Sequence, residues 1–330
     1  MADSWRDNRL DLQCIYVVCG MCMNEHITFG MTRRNLIKLI AATFGCALGT
    51  SGNTLSAPDR RLVDKIGSMP RLYCVAYITP DAPGQRDQEA MVAKYPLAIV
   101  PQDDGRAFIR WRDRVKSINP DIVLLSYQMV IEETTVPGPG HRSLQKIHDS
   151  WCVYPGGYIP TVGSSHKQRR LFDPRKQAWQ DGFLEASIAT LSSYPYDGLF
   201  LDQCGIFVKA SPIASIREEM REALQQTLIR LRQALPNILI VGNSRDSWIG
   251  LNGEMNESRL GEIQKELRLF SGHVQPRVEL VMSYLNSEAD TETVRRQMAS
   301  AHSFDAFFAA TVNTQHVLWF DAFDEVMSRR

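Results

Sequence analysis

The stretch Tyr196-Asp197-Gly198-Leu199-Phe200-Leu201-Asp202 has the form of a buried strand that ends on a carboxylate. A second stretch, Asn252-Gly253-Glu254-Met255-Asn256-Glu257, repeats that form, with a glycine four residues before the acid. Strand side chains alternate between two faces, so Asp202 and Glu257 each share a face with the glycine of their own stretch. Inward-facing acids at the ends of apolar strands are typical of the catalytic end of a (β/α)8 barrel.

The composition is that of a globular protein. The chain has 330 residues, 44% of them hydrophobic, with 37 basic and 37 acidic side chains. Zero formal charge argues against a nucleic-acid partner, because such proteins usually carry a basic excess. No apolar run reaches the roughly 20 residues that span a bilayer, so the sequence predicts no stable membrane span. The seven cysteines form neither a disulfide framework nor paired zinc ligands, and we expect no metal site.

Basic, apolar and then small residues follow one another in the N-terminal part of the chain. Thr32-Arg33-Arg34-Asn35-Leu36-Ile37-Lys38 resembles a twin-arginine export signal and precedes the apolar run 39–48. We predict an upstream extension over residues 1–30, a twin-arginine signal peptide over 31–57 and one folded domain over 58–330. The twin-arginine translocase would be a partner during export, and the mature protein would be periplasmic or secreted. The alternative is an amphipathic N-terminal helix of a cytoplasmic protein.

Short apolar runs alternate with helical periodicities from about residue 70 onward. The predicted strands are 71–78, 96–101, 121–128, 196–202, 237–242, a weak run that ends at 257, 278–284, and either 306–310 or 317–320. Nearly continuous apolar strands separated by helices favour a parallel sheet that is covered on its outer face. We therefore predict an α/β protein with a single-domain (β/α)8 TIM barrel. An open doubly wound sheet is the alternative, although the first strand lacks the glycine loop typical of that fold.

Two acids at strand ends suit glycoside hydrolysis. One carboxylic acid protonates the leaving oxygen, while the other carboxylate is the nucleophile or activates a water molecule. Asp202 would end the fourth strand and Glu257 the sixth, so both would face one cleft. Glu254 is a rival acid, but the alternation of faces favours Glu257. Each acid also has a structural interpretation, Asp202 as a cap of the next loop and Glu257 as a helix N-terminal acid.

These acidic motifs, together with the Phe172-Asp173-Pro174 helix start, resemble those of glycoside-hydrolase barrels related to endo-α-1,4-polygalactosaminidases. The similarity extends over most of residues 70–325, and the two acidic motifs are its specific part. In that family an Asp ends strand four and a Glu ends strand six. The resemblance implies a (β/α)8 fold and a secreted enzyme that acts on a polysaccharide or amino-sugar polymer.

Roles for the two acids follow from this interpretation. Asp202 would be the nucleophile or base, and Glu257 the general acid, with a pKa raised by its surroundings. Polar groups at other strand ends would bind sugar hydroxyls. The candidates for substrate binding are Tyr127, Asn243, Tyr284 and Asp103.

A long loop between the third strand and Asp173 would leave the catalytic face of the barrel. Long loops in compact domains are more often functional than accidental. Trp151, Tyr154 and Tyr158 offer flat apolar surfaces on which sugar rings could stack. They could equally pin the loop to the barrel.

Several motifs of other enzyme classes do not occur. The sequence contains no GxSxG, HExxH, P-loop or GxGxxG pattern, and we expect no cofactor. The leading hypothesis is an exported glycoside hydrolase that uses two carboxylates on a polysaccharide or oligosaccharide substrate. The alternative is a non-catalytic extracellular barrel that binds glycans through the same acids. A third hypothesis is a hydrolase of another ester or a phosphodiester.

Overall fold

The computed structural model describes residues 60–77, 85–101, 106–134, 153, 169–205, 216–243, 248–257, 274–312 and 316–328. The described strands are β1 (Tyr73–Val75), β2 (Leu97–Pro101), β3 (Val123–Met129), β4 (Glu132–Thr134), β5 (Arg169–Leu171), β6 (Gly198–Asp202), β7 (Leu239–Asn243), β8 (Gly253–Glu257), β9 (Leu280–Tyr284) and β10 (Phe307–Thr311). The described helices are α1 (Arg60–Ser68), α2 (Gln85–Ala93), α3 (Arg106–Ile118), α4 (Gln177–Ser193), α5 (Arg217–Ala234), α6 (Thr291–His302) and α7 (Asp321–Met327). None of these helices is both long and apolar enough to cross a bilayer. The predicted upstream extension and signal peptide, residues 1–57, lie outside the described residues.

Eight of the strands form one parallel sheet that closes on itself. Their order is β1-β2-β3-β6-β7-β8-β9-β10, and every neighbouring pair is parallel. The last strand meets the first at a seam, where Leu72 bridges to Phe308 and the Phe308 amide donates to the carbonyl of Arg71 at 2.9 Å. The predicted (β/α)8 barrel is therefore confirmed, and the open doubly wound alternative was wrong.

The structure also decides the two uncertain strands. The weak sixth run is a strand, β8, and the eighth strand is β10 rather than 317–320. β10 pairs with β9 from Phe307 opposite Leu280 to Thr311 opposite Tyr284, which fills the eighth position in the barrel. The segment 317–320 is not a strand, and Val317 and Phe320 pack in the outer core.

One feature of the long loop was not predicted. Its two ends form a small antiparallel sheet, in which Glu132 of β4 pairs with Leu171 of β5. The expected helix start at Asp173 was also wrong, because α4 begins at Gln177 and Asp173 instead accepts the backbone N–H of Arg175 at 3.1 Å. The chain thus makes a turn before α4 rather than entering the helix directly.

Alternation along the strands separates two cores. Phe200 of β6 and Met255 of β8 lie in the barrel interior, whereas Leu199 and Leu201 pack outward with side chains of α4 and α5, such as Phe183 of α4. The same alternation carries the final acid of β6 and of β8 to the inward face. Both acids consequently lie at the carboxyl-terminal mouth of the barrel.

The polar residue just before the glycine of each acidic motif forms a hydrogen bond to the preceding strand in the sheet. The carboxylate of Asp197 accepts the backbone N–H of Leu124, in β3, at 2.9 Å. In the same way the side-chain oxygen of Asn252 accepts the backbone N–H of Ile240, in β7, at 2.8 Å. The repeated motif is therefore a repeated structural device as well as a chemical one.

The glycine that follows fits against the next strand. A Cβ atom on Gly198 would lie 2.2 Å from the carbonyl oxygen of Leu239 in β7. One on Gly253 would lie 2.0 Å from the carbonyl oxygen of Val278, just before β9. Only glycine allows backbones to approach this closely. In each motif, the polar residue and the glycine thus position the start of the strand, and the acid lies at the end of the same strand.

Candidate active site

Asp202 and Glu257 end two strands that are separated by a single strand. Asp202 is the last residue of β6, Glu257 is the last residue of β8, and β7 lies between them. β7 ends on Asn243, which therefore sits between the two acids. All three residues face the mouth, because each lies an even number of positions from an inward-facing residue of its own strand.

The amide of Asn243 contacts both carboxylates. Its nitrogen, Nδ2, donates to Asp202 Oδ1 at 2.8 Å and to Glu257 Oε1 at 3.0 Å. The two N–H bonds of a planar NH2 group diverge by about 120°, and hydrogen bonds of these lengths at that angle would put the two oxygens about 5 Å apart. One amide thus sets both the spacing and the orientation of the acids.

Two further donors hold Asp202. The hydroxyl of Tyr127 donates to Asp202 Oδ2, and the backbone N–H of Gln203 donates to Oδ1 at 2.8 Å. Gln203 has a φ of 52°, a left-handed conformation that costs a residue other than glycine about 1 kcal/mol. Such strain is found where the surrounding structure maintains it, often at functional sites. Here the turned backbone directs its N–H to the carboxylate of the preceding residue.

Glu257 lies at the rim and is exposed, yet its carboxyl group is crowded by protein atoms. Burial of the carboxyl group, followed by the negative charge of Asp202, raises the pKa of Glu257 above its ordinary value. Hydrogen bonds from Asn243 and Tyr284 lower the pKa again in part. The net direction favours the protonated acid, the form that can donate a proton.

Three of the predicted sugar-binding residues contact the acids, and they differ in how far they are exposed at the mouth. Tyr127 is only 2% exposed, and its ring packs edge-on against Tyr77 with a centroid distance of 5.2 Å. Asn243 bridges the carboxylates as described above. Tyr284 differs from both, because it is 55% exposed at the mouth while its hydroxyl bonds to Glu257. Tyr284 alone among the three presents much of its ring to a ligand.

The structure does not bring Glu254 into the site. Its side chain is buried on the outward face of β8, where Oε1 lies 3.3 Å from the backbone nitrogen of Trp248. Asp103 and Trp151 fall outside the described residues, as do Tyr154 and Tyr158 of the long loop. The described site therefore consists of Asp202, Glu257 and the groups that bond to them.

Sequence reasoning missed two contributors to this site. The backbone of Gln203 carries no signal in the sequence, because its conformation depends on the turn that follows β6. Tyr77 could have been found, since it lies two residues after Val75 and so on the same inward face of the chain. The described residues contain no group of three or more His, Cys, Asp or Glu side chains that could hold a metal ion.

No family model matches the chain, and no curated protein matches it in sequence. Solved structures do match. The glycoside hydrolase domain of PelA from Pseudomonas aeruginosa aligns with a TM-score of 0.52 at 16% identity, covering 75% of this chain and 97% of that one. A noncanonic maltogenic alpha-amylase, AmyB from Thermotoga neapolitana, aligns with a TM-score of 0.51 at 8% identity, covering 78% of this chain and 75% of that one.

A third solved structure is TtGalA, an alpha-galactosidase from Thermus thermophilus. It aligns with a TM-score of 0.51 at 14% identity, covering 79% of this chain and 61% of that one. At such low identities the similarity establishes the fold alone. This chain shares the barrel fold of these glycoside hydrolases.

Proposed function

We propose that this protein is a glycoside hydrolase that works by double displacement with Asp202 as nucleophile and Glu257 as acid and base. The observation that carries the proposal is the Asn243 amide, whose nitrogen bonds to both carboxylates at the barrel mouth, a geometry that would separate the two bonded oxygens by about 5 Å. Retaining glycosidases place their two carboxyl groups about 5–5.5 Å apart, whereas inverting enzymes leave about 6.5–9.5 Å for a water molecule. The raised pKa of Glu257 supports its role as the acid.

The first step would join the sugar to the enzyme. An oxygen of Asp202 forms a bond to the anomeric carbon while the bond from that carbon to the leaving oxygen breaks. The proton of Glu257 passes to the leaving oxygen. Loss of this proton leaves Glu257 as a carboxylate, with Asn243 and Tyr284 as donors that stabilise its charge.

The second step would release the sugar. A water oxygen forms a bond to the anomeric carbon, and the bond to Asp202 breaks. Glu257 takes the proton from that water and returns to its starting form. Asp202 regains its full negative charge, and the hydrogen bonds donated by Tyr127, Asn243 and the Gln203 backbone stabilise that charge.

The proposed substrate is a polysaccharide or oligosaccharide, with an amino-sugar polymer as the first choice because of the motif resemblance. The solved structures that share the fold include an alpha-amylase and an alpha-galactosidase, which widens the set of glycans worth testing. We also propose that the protein is exported through the twin-arginine translocase and acts in the periplasm or outside the cell. The N-terminal motif carries that part of the proposal.

The test measures new reducing ends after incubation with α-1,4-polygalactosamine, starch, galactomannan and chitin oligomers. We expect the wild type to cleave at least one of them, and Asp202→Asn and Glu257→Gln each to lower the rate by about 1000-fold or more. Glu254→Gln is the matched control, because it makes the same chemical change on the same strand but on the outward face. It should retain the wild-type rate.

Other results of this test would contradict the proposed roles of the acids or favour a different function. Cleavage by Asp202→Asn at the wild-type rate would remove Asp202 from the mechanism. Saturable binding of one glycan without new reducing ends would favour the glycan-binding barrel. Loss of that binding in Asp202→Asn would identify the acids as hydroxyl ligands.

A further inference from the structure

The two oxygens of Asp202 are not equivalent. Oδ1 accepts two hydrogen bonds, from Asn243 and from the backbone of Gln203, each at 2.8 Å. Among the described residues, Oδ2 accepts one, from the hydroxyl of Tyr127. A carboxylate oxygen has two lone pairs in its plane, so both lone pairs of Oδ1 are engaged and one of Oδ2 is available. Oδ2 is therefore the oxygen that can attack a sugar.

Tyr127 is fixed in place beneath that oxygen. Its side chain is 2% exposed, and its hydroxyl also lies 3.0 Å from the sulfur of Met129. The ring packs between the edge of Tyr77 and the ring of Phe200, with centroid distances of 5.2 Å and 5.9 Å. A side chain this buried is poorly placed to bind substrate hydroxyls, so its hydrogen bond to Asp202 is the contact that matters for chemistry.

We propose that Tyr127 is a positioning residue that donates to the attacking oxygen of Asp202 and promotes release of the sugar from the enzyme. The inference rests on the proposed function, since it assigns a role within the double displacement. Tyr127 transfers no proton in this scheme. Its O–H stays bonded to Oδ2, first as that oxygen joins the anomeric carbon and then as it leaves.

The hydrogen bond from Tyr127 changes strength in opposite directions in the two steps. In the first step Oδ2 loses negative charge as it becomes an ester oxygen, so the bond weakens. In the second step Oδ2 regains its charge, so the bond is stronger in the transition state than in the ester that precedes it. Only interactions that strengthen toward the transition state accelerate a step. Tyr127 should therefore speed the second step.

Tyr127→Phe removes this hydroxyl while keeping the ring that fills the barrel. We expect kcat to fall about 10-fold or more, because a hydrogen bond to a charged group is lost from the second transition state. The value of kcat/KM, which reports the first step, should not fall, because the hydrogen bond weakens in that step, so KM should fall together with kcat. The glycosyl-enzyme should accumulate in the variant.

The matched control is Tyr73→Phe. Tyr73 also lies in the barrel interior, is 0% exposed, and its hydroxyl has no hydrogen-bond partner among the described residues. This substitution removes a buried phenol oxygen without touching Asp202. It should leave kcat and KM unchanged.

The experiment uses the full chain and the polysaccharide from the panel that the wild type cleaves fastest. Steady-state rates are measured for the wild type, Tyr127→Phe and Tyr73→Phe. Acid-quenched samples are analysed by mass spectrometry, both as intact protein and after proteolytic digestion. A glycosyl adduct that builds up only in Tyr127→Phe, on the peptide containing Asp202, supports the proposal. Equal losses in kcat and kcat/KM without an adduct overturn it, as does a Tyr73→Phe variant that behaves like Tyr127→Phe.

The outcomes also separate this inference from the function on which it rests. If the wild type cleaves no glycan in the panel, the proposed function fails and the role of Tyr127 fails with it. If the wild type cleaves one and Tyr127→Phe matches it in kcat, the enzyme stands and only the role of Tyr127 is overturned.

Discussion

At the scale of single residues, the environment that raises the pKa of Glu257, and so suits its proposed role as an acid, should also destabilise the folded protein. Burial and the charge of Asp202 raise the pKa of Glu257 in the folded state above its unfolded value. The folded state then binds more protons than the unfolded state in the range between the two pKa values. Stability therefore falls as the pH rises from the unfolded value, about 4.3, through the folded one.

Glu257→Gln should remove this penalty. We expect the variant to have a higher Tm than the wild type at pH 7, with the difference vanishing below about pH 4, where both side chains are neutral. Thermal unfolding between pH 4 and pH 8 measures the effect. The gain should be smaller in an Asp202→Asn background, because part of the penalty comes from the charge of Asp202. A wild type that is more stable than Glu257→Gln at pH 7 would contradict the prediction.

At the scale of elements, the repeated acidic motif needs its glycines because the backbone of the neighbouring strand packs directly against them. Gly198→Ala would place a Cβ atom 2.2 Å from the Leu239 carbonyl oxygen, a backbone atom that cannot move without shifting β7. We expect a loss of about 1–3 kcal/mol in the free energy of unfolding, or more if β6 and β7 separate. Denaturant unfolding measures this loss.

The control for this element is another glycine of the same chain. Gly67 lies in α1, and a Cβ atom there would have no neighbour within 4 Å. Gly67→Ala should therefore stabilise the protein by up to about 1 kcal/mol, because alanine favours the helix. If Gly198→Ala proved as stable as Gly67→Ala, the packing explanation of the motif would be wrong.

The elements also show what the sequence could and could not predict. Alternation from Phe200 was enough to place Asp202 on the inward face of its strand, and parallel strands bring their carboxyl ends to one mouth. The contact of Tyr127 with Asp202 was not predictable, because it requires the register in which β3 pairs with β6, Met129 opposite Asp202. That register arises from packing between residues 75 positions apart in the chain.

Local patterns failed where two segments had similar composition. The runs 306–310 and 317–320 are both apolar, and only pairing with β9 distinguishes the strand from the outer packing segment. The small antiparallel sheet of β4 and β5 was missed for a related reason, since its two strands are short and separated by a long stretch of chain. The position of the eighth strand and the pairing of β4 with β5 both depend on tertiary contacts, which hydrophobic periodicity cannot reveal.

At the scale of the whole molecule, closure of the barrel converts two distant motifs into one site. Asp202 and Glu257 are 55 residues apart in the sequence, yet β7 is the only strand between them in the sheet. The seam at Arg71 and Phe308 completes the ring that fixes the tilt and spacing of these strands. The spacing between the two carboxylates that Asn243 bridges is thus a property of the closed fold.

We propose that this spacing suits attack by Asp202 itself rather than by a water molecule. The most direct measurement follows the first product by proton NMR, using the panel polysaccharide that the wild type cleaves, before the anomers equilibrate. We expect the new reducing end to have the same anomeric configuration as the cleaved bond. The opposite configuration would show that water attacks directly, and would contradict both the nucleophilic role of Asp202 and the separation of about 5 Å inferred from the Asn243 amide.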